Sequence, residues 1–167
     1  MKDLKNKTKE AVIQIAKWQV GVMESPANSN KVKYNTWFYG REVSGDPYKW
    51  CLVFVVWCFH QAGFNLRKDA GCTNFTNAYK KAGQWVTSGY KPGDIVMYDF
   101  DGKMDGETEH CGIVIEVGKD YVIAVEGNTG PNSNSNGGAV MERKRSLKVI
   151  TGACRPIYNM IGVKNEY

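Results

Sequence analysis

Cys51 is the residue whose surroundings in the sequence best suit nucleophilic chemistry. It follows Trp50 and a proline-containing loop, and it opens an apolar run over 51–59 with no solvent face at helical spacing. Such a run forms a helix inside the protein and is far too short to cross a bilayer. The positive end of the helix dipole favours thiolate over thiol in the first turn. We therefore predict that Cys51 is a nucleophile rather than a small core residue.

A cysteine nucleophile needs a base within hydrogen-bond reach, and the chain has only two histidines. His60 lies nine residues beyond Cys51, which places it on the opposite side of the same helix, about 13.5 Å along the axis. It cannot be the partner of Cys51. His110 remains, so we predict His110 as the base, with a satisfied structural histidine as the alternative.

A predicted hairpin brings acidic and amide side chains to His110. If its tight turn centres on Lys119, His110 faces Asn128 and Gly112 faces Glu126. The parity of a hairpin then places His110, Glu126 and Asn128 on one face, and Gly112 leaves room beside the ring. A carboxylate or amide that accepts from one imidazole nitrogen fixes the tautomer, so that the other nitrogen can take the thiol proton. An orienting group for the base is therefore expected on this face.

The order of the predicted elements indicates an α+β fold. Helical periodicity predicts a leading helix within 1–22, the central helix over 51–62, and a third helix over 73–82 with Thr73 as N-cap. The period then changes to two, which predicts strands at 95–98, 110–117, 121–127, 139–144 and 149–156. The aromatic segment 32–40 is predicted either as irregular groove lining or as packing under the central helix. Helices followed by a meander favour an antiparallel sheet against the buried helix.

Length and composition restrict the class of protein. At 167 residues, one domain is expected over 1–167, and the net charge of +5 contains no basic block with interleaved aromatics, so nucleic acid is not an expected partner. Five cysteines at irregular spacing, without CxxC, argue for reduced thiols and against structural zinc. No signal peptide is visible, so we expect synthesis in the cytoplasm, with no membrane partner and no cofactor.

Three stretches carry a family resemblance: WCLVFVVWC, EHCGIV and VEGNTG, in that order. They resemble the CHAP family, the cysteine- and histidine-dependent amidohydrolases/peptidases, and the resemblance covers roughly 27–156. It implies a papain-like (NlpC/P60-like) α+β fold with N-terminal helices on an antiparallel sheet. It also implies hydrolysis of amide bonds in peptidoglycan, often by phage or prophage lytic enzymes. Carried over position by position, Cys51 is the nucleophile, His110 the base and Glu126 the orienting group, with Asn128 assisting.

Two features depart from the family pattern. Position 111 is commonly aliphatic in the family and is Cys111 here, which we expect to face away from the site, in the core. Some members bind calcium just ahead of the nucleophile, but 42–46 matches that acidic pattern only in part, so no metal is predicted. The loop over 99–109 carries further carboxylates that could hold calcium but are expected to be solvated, because they lack EF-hand spacing. They are Asp99, Asp101, Asp105, Glu107 and Glu109.

The predicted function is hydrolysis of peptidoglycan after release of the enzyme to the cell wall. The muramoyl–L-alanine amide is the preferred bond, and a peptide bond of the stem or cross-bridge is the alternative. A general cysteine protease and a non-catalytic wall-binding module are the rival classes, and Cys72 is the rival nucleophile because it also precedes a helix. We expect a monomer or a domain linked to a wall-binding module. The predicted substrate-binding residues are Trp37, Tyr39, Tyr48, Trp50 and Thr129.

Overall fold

The fold consists of helices packed on one face of an antiparallel sheet. The computed structural model describes residues 7–103 and 107–158. The helices of this part are α1 (Lys9–Trp18), α2 (Lys33–Tyr39), α3 (Cys51–Gln61) and α4 (Cys72–Lys81), with short 3₁₀ turns at Asp46–Tyr48 and Leu147–Val149. The strands are β1 (Trp85–Val86), β2 (Ile95–Tyr98), β3 (His110–Val117), β4 (Tyr121–Thr129), β5 (Ala139–Ser146) and β6 (Ile150–Cys154). The α+β prediction is confirmed.

The sheet has the strand order β1-β6-β2-β3-β4-β5, and every neighbouring pair is antiparallel. The helix α3 packs across β3 and β4, while α1 and α2 cover its other sides. Its side chains from Cys51 to Val56 are all buried, as the apolar run predicted. This central position fixes the N-terminus of α3 beside the start of β3, because both elements are held by the same core.

The aromatic segment near residue 34 is helical, and the prediction of an irregular segment is wrong. Tyr34 is fully buried, and its ring lies 5.5 Å from that of Trp50 and 5.2 Å from that of Phe54. Its hydroxyl donates to Gln19 over 3.1 Å. The alternative prediction, packing against the central helix, is therefore the one that the structure supports for α2.

Element boundaries differ from the predictions by a few residues, which is usual for helix ends. The helix α1 is shorter than the predicted range 1–22, of which 1–6 lie outside the described residues. The helix α4 begins one residue earlier than predicted, with Gly71 as N-cap. The hydroxyl of Thr73, the predicted N-cap, instead accepts a hydrogen bond from the backbone of Thr108. Among the described helices, none is both long and apolar enough to be a membrane-span candidate.

Candidate active site

Cys51 is the first residue of α3 and is held there by a buried aromatic neighbour. Trp50 is fully buried, and its Nε1 donates to the Glu24 carboxylate over 2.8 Å. No side chain caps the helix, so the first-turn N–H groups remain available to a ligand next to the thiol. The Cys51 side chain is buried but not sealed, with 6% of the residue exposed.

His110, the first residue of β3, is fully buried beside the sheet. Its Nε2 lies 2.9 Å from Oε2 of Glu126, and its ring stacks on Tyr98 with centroids 5.9 Å apart. Its Nδ1 is buried without a formed hydrogen bond. Because Nε2 is occupied, Nδ1 is the ring nitrogen available to Cys51, and such contacts often tighten only when substrate binds.

Glu126 is the group that the hairpin register brings to the histidine. The pairs Ile113↔Val125 and Val114↔Ala124 match the predicted register at this end of the hairpin, although a bulge shifts it nearer the turn. A methyl group built on Gly112 would lie 2.7 Å from Cγ of Glu126, so glycine leaves the space that the carboxylate fills. The structure therefore places His110 and Glu126 together, as the sequence predicted.

Arg145 is a functional neighbour that the sequence analysis missed. Its Nε donates to Oε1 of Glu126 over 2.9 Å and its Nη2 donates to Oε2 over 2.6 Å, which is a bidentate pair. Burial raises the pKa of Glu126, but the bonds from Arg145 and His110 outweigh it and hold that pKa below its usual range. A fully buried carboxylate requires a partner cation. The alternating Arg143 and Arg145 on β5 were the signal in the sequence from which this partner could have been predicted.

The thiol and the imidazole shift each other toward an ion pair. The neighbouring thiols of Cys111 and Cys72, and then His110, lower the pKa of Cys51 well below its usual range against the effect of burial. Burial opposes the charged form of His110, but the interactions with Cys51 and Glu126 prevail and raise its pKa to about 9. Both shifts favour the pair of thiolate and imidazolium, which is the reactive state of a cysteine nucleophile.

Two further thiols lie beside the nucleophile. Sγ of Cys72 is 3.8 Å from Sγ of Cys51, and the Sγ atoms of Cys51, Cys72 and Cys111 all lie within 4.8 Å of one another. The expectation that Cys111 faces away from the site is wrong, because its face of β3 packs under the start of α3. Cys111 is nevertheless fully buried, as expected for a core residue.

Cys72 has the surroundings of a thiol rather than of a thiolate. Its hydrogen bond with Cys111 lowers its pKa, but the bond to Cys51 and burial hold that pKa well above the usual range. Burial raises the pKa of Cys111 as well. Of the three clustered thiols, only Cys51 combines a lowered pKa with coupling to His110.

Asn128 makes its hydrogen bonds with residues other than His110, and its assisting role stays a prediction. The register of β4 and β5 shifts between Glu126 and Thr129, and Asn128 has a left-handed φ of 53°. The parity count fails across this irregularity. The Asn128 amide oxygen accepts from the backbone of Gly138, and its Nδ2 lies 3.5 Å from Oδ1 of Asn30. Asn128 thus holds the loop after β4.

The predicted substrate-binding residues separate into two groups. Trp50 is core, and Thr129 is fully buried with its hydroxyl donating to the carbonyl of Asn134, so neither forms a groove wall. Trp37 contacts His60 at the far end of α3 from Cys51, with ring centroids 4.9 Å apart. Tyr39 and Tyr48 are half-buried, contact each other at 5.0 Å and precede α3. These two tyrosines remain candidates for substrate contacts.

The acidic loop after β2 is held together by its own backbone. One carboxylate oxygen of Glu109 accepts from the amides of Phe100 and Asp101, and one of Asp99 accepts from the amides of Asp101 and Gly102. Asp101 also pairs with Lys103. Asp105 lies outside the described residues. These bonds hold the loop, and they bring carboxylate oxygens of Asp99, Asp101 and Glu109 within 4.8 Å of one another.

Comparison with known proteins agrees with this geometry. The family model of the CHAP domain matches residues 43–128, just over half of the chain, and includes Cys51, His110 and Glu126. The chain belongs to the CHAP family. Because this family comprises cysteine- and histidine-dependent amidohydrolases and peptidases, this CHAP domain is a cysteine-dependent hydrolase.

The fold of this CHAP domain is similar to a solved structure, the crystal structure of Ly7917. The TM-score is 0.52 and the sequence identity 16%, over 89% of this chain. The match spans 62% of the length of Ly7917. At this identity the likeness concerns the fold alone. No curated protein matches the sequence.

Proposed function

We propose that this CHAP domain hydrolyses an amide bond of bacterial peptidoglycan, specifically the N-acetylmuramoyl–L-alanine amide, as the catalytic domain of a phage or prophage endolysin. The observation that carries the proposal is the fully buried hydrogen bond between His110 and Glu126, together with the thiol of Cys51 at the start of α3, whose pKa His110 helps to lower. The family match to residues 43–128 supports peptidoglycan as the substrate. The enzyme acts on the wall after its release from the cytoplasm.

The proposed reaction begins with attack of the Cys51 thiolate on the amide carbonyl carbon. The carbonyl oxygen then carries the negative charge, and the backbone N–H of Cys51 at the uncapped start of α3 stabilises it. His110 transfers the proton on Nδ1 to the leaving amine as the carbon–nitrogen bond breaks. The products of this step are the free amine and a thioester on Cys51.

Water completes the cycle. The neutral imidazole of His110 takes a proton from a water molecule, which attacks the thioester and releases the carboxylic acid and the thiolate. Throughout both steps Glu126 accepts from Nε2–H of His110, which fixes the ring orientation and stabilises the imidazolium. Arg145 keeps Glu126 ionised and immobile, so Arg145 is a positioning residue.

Substrate is proposed to approach the thiol from the side of Tyr39 and Tyr48. Both residues are half-buried, and Tyr48 belongs to the 3₁₀ turn that precedes α3. Their faces suit the apolar faces of sugar rings and of peptide side chains. A separate cavity of about 440 Å³ is lined by Trp85, Glu107 and Ile150 among others, and none of the catalytic candidates lines it.

Mass spectrometry of the fragments released from purified cell walls tests the proposal. An amidase releases stem peptides with a new N-terminal alanine and leaves intact glycan strands. Cleavage inside the stem or the cross-bridge would instead show that the chain is an endopeptidase. The same thiolate can attack a peptide bond of the stem or the cross-bridge. If no covalent fragment is released, the proposed hydrolysis of peptidoglycan is wrong.

Two controls separate this function from its rivals. If the chain were a wall-binding module, the native chain and Cys51→Ala would bind walls equally well, and neither would release fragments. A general cysteine protease would digest denatured casein at a rate comparable to its action on walls. We expect neither result, because the native chain should release fragments and leave denatured protein intact.

A further inference from the structure

Three thiols from distant parts of the sequence meet at the start of α3. Cys51 is the first residue of α3, Cys72 the first residue of α4, and Cys111 the second residue of β3. Their Sγ atoms lie within 4.8 Å of one another. Hydrolysis of an amide uses only one of these thiols as the nucleophile, and the other two take no covalent part in the proposed reaction.

The spacing of these sulfur atoms suits a tetrahedral thiolate site. In such sites Zn–S bonds are about 2.3 Å long, so two ligand sulfurs are about 3.8 Å apart. Sγ of Cys51 and Sγ of Cys72 lie 3.8 Å apart, and Cys111 completes a triangle with them. Cys51 and Cys72 are each 6% exposed, which leaves an edge of the cluster open to a small ion.

We propose that Cys51, Cys72 and Cys111 form a binding site for one thiophilic divalent cation, Zn²⁺, and that the bound ion reversibly stops the hydrolase. The three sulfurs bind the ion as thiolates, and a water molecule takes the fourth position. The thiols of Cys72 and Cys111 each release a proton to solvent on binding. The ion inhibits because the lone pair of Cys51 that would attack the amide is engaged in a Zn–S bond.

The surrounding charges are compatible with an ion held by three thiolates. The thiolates and Zn²⁺ together carry a net charge of −1, and the imidazole ring of His110 belongs to the residue directly before Cys111. Glu126, the nearest carboxylate to that ring, is already paired with Arg145. The irregular spacing of the cysteines argued against structural zinc. That spacing could not reveal this cluster, because only the tertiary fold brings residues 51, 72 and 111 together.

Cobalt(II) is the probe for the site itself. The full chain, reduced with a phosphine and freed of metal, is titrated with Co²⁺ and followed by visible absorption. We expect one ion per chain, intense thiolate-to-cobalt charge-transfer bands, the d–d bands of a tetrahedral ion, and loss of all of them on addition of Zn²⁺. The reductant excludes a disulfide between Cys51 and Cys72 as the cause of any change.

Matched cysteine variants decide whether the cluster is the ligand set. Cys72→Ala and Cys111→Ala each remove one proposed ligand, whereas Cys58→Ala removes a buried cysteine of α3 outside the cluster. Loss of an outer-shell partner alone costs about 10–100-fold in metal affinity, so loss of a ligand should weaken Zn²⁺ binding by at least about 100-fold. Cys58→Ala should bind as the native chain does. Circular dichroism identifies any variant that fails to fold. If Cys72→Ala fails to fold, Cys72→Ser takes its place.

Two results would overturn the site: Zn²⁺ affinity unchanged in Cys72→Ala or Cys72→Ser, or a cobalt spectrum without thiolate bands. An activity assay then tests the inhibition, with wall hydrolysis lost on adding Zn²⁺ and restored by a chelator. The inhibition rests on the proposed function, but the spectroscopic result does not. If the chain hydrolyses walls but binds no metal, only the proposed metal site is wrong. If it binds the metal but does not hydrolyse walls, only the proposed function is wrong.

Discussion

Oε2 of Glu126 lies 2.9 Å from Nε2 of His110 and 2.6 Å from Nη2 of Arg145, so one carboxylate oxygen joins the catalytic base to a guanidinium. All three groups are buried. Bonds of this kind between ionised groups are shorter and stronger than neutral ones. The imidazole ring is therefore fixed in orientation before substrate arrives, and its Nε2–H is committed to the carboxylate.

Glu126→Gln should remove most of the activity. The amide keeps the shape of the side chain but loses the charge that stabilises the imidazolium, and loss of the comparable group in other triads lowers kcat by about 10⁴-fold. It also leaves Arg145 buried without its counter-ion, which costs about 3–5 kcal/mol of folding free energy. Steady-state hydrolysis of walls and thermal unfolding measure the two effects.

The matched control for this substitution is Glu116→Gln, which changes an exposed carboxylate on the neighbouring strand β3 that accepts from the Tyr121 hydroxyl. Its rate and melting temperature should remain close to those of the native chain. Equal activity of Glu126→Gln and the native chain would contradict the assignment of Glu126 as the orienting group.

His110 should hold its proton above neutral pH. Its pKa is raised to about 9 by Cys51 and Glu126 against its burial. NMR of the imidazole resonances should show the His110 ring still protonated at pH 7.5, and the loss of that resonance in His110→Gln assigns it. In Cys51→Ala its pKa should fall, because the thiolate no longer stabilises the imidazolium. An unshifted His110 in the native chain would contradict the ion pair.

The activity should show a bell-shaped dependence on pH. The reaction needs the Cys51 thiolate, so the rate rises as pH passes the lowered pKa of that thiol, and it needs the His110 imidazolium, so the rate falls as pH passes about 9. Cys72→Ala should move the acidic limb to higher pH because it removes a hydrogen bond that lowers the Cys51 pKa. The profile is measured with a chelator present. An acidic limb that does not move in Cys72→Ala would contradict the role of that bond.

Gly112→Ala should disturb the site through packing alone. The added methyl group would lie 2.7 Å from Cγ of Glu126 and 3.1 Å from Cβ of Ala124, so the carboxylate must shift away from His110. We expect a loss of about 1–3 kcal/mol in unfolding free energy together with a fall in kcat. Gly71→Ala is the matched control, because its methyl group meets no atom closer than 3.5 Å. A fully active Gly112→Ala would show that the position of the carboxylate is not critical.

The principal chemical residues were predictable because local patterns determine them. An apolar run without a polar face indicated that α3 is buried, and the small number of histidines left His110 as the partner of Cys51. Hairpin parity then led to Glu126, because the pairs next to it, Ile113↔Val125 and Val114↔Ala124, keep the predicted register. The family motifs at the same positions agreed with these inferences, and the family model confirms membership.

The failures of prediction share a tertiary cause. Asn128 bonds away from His110 because a strand irregularity breaks the period of two, and the tolerance of asparagine for left-handed backbone was the one signal of it in the sequence. Arg145 was missed because its side chain reaches Glu126 from a neighbouring strand. The helix α2 was missed because burial of Tyr34 against Trp50 stabilises it, whereas its seven residues are too few to form a helix alone. The thiol cluster depends on three separate elements meeting.

The central claim is that Cys51 attacks the amide and Cys72, 3.8 Å away, does not. The measurement is the rate of fragment release from purified cell walls by the native chain, Cys51→Ala and Cys72→Ala, each checked for folding and assayed with chelator and reductant. We expect no turnover by Cys51→Ala and retained turnover by Cys72→Ala at the optimum of its own pH profile. Turnover by Cys51→Ala, or its loss only in Cys72→Ala, would contradict the assignment of Cys51 as the nucleophile.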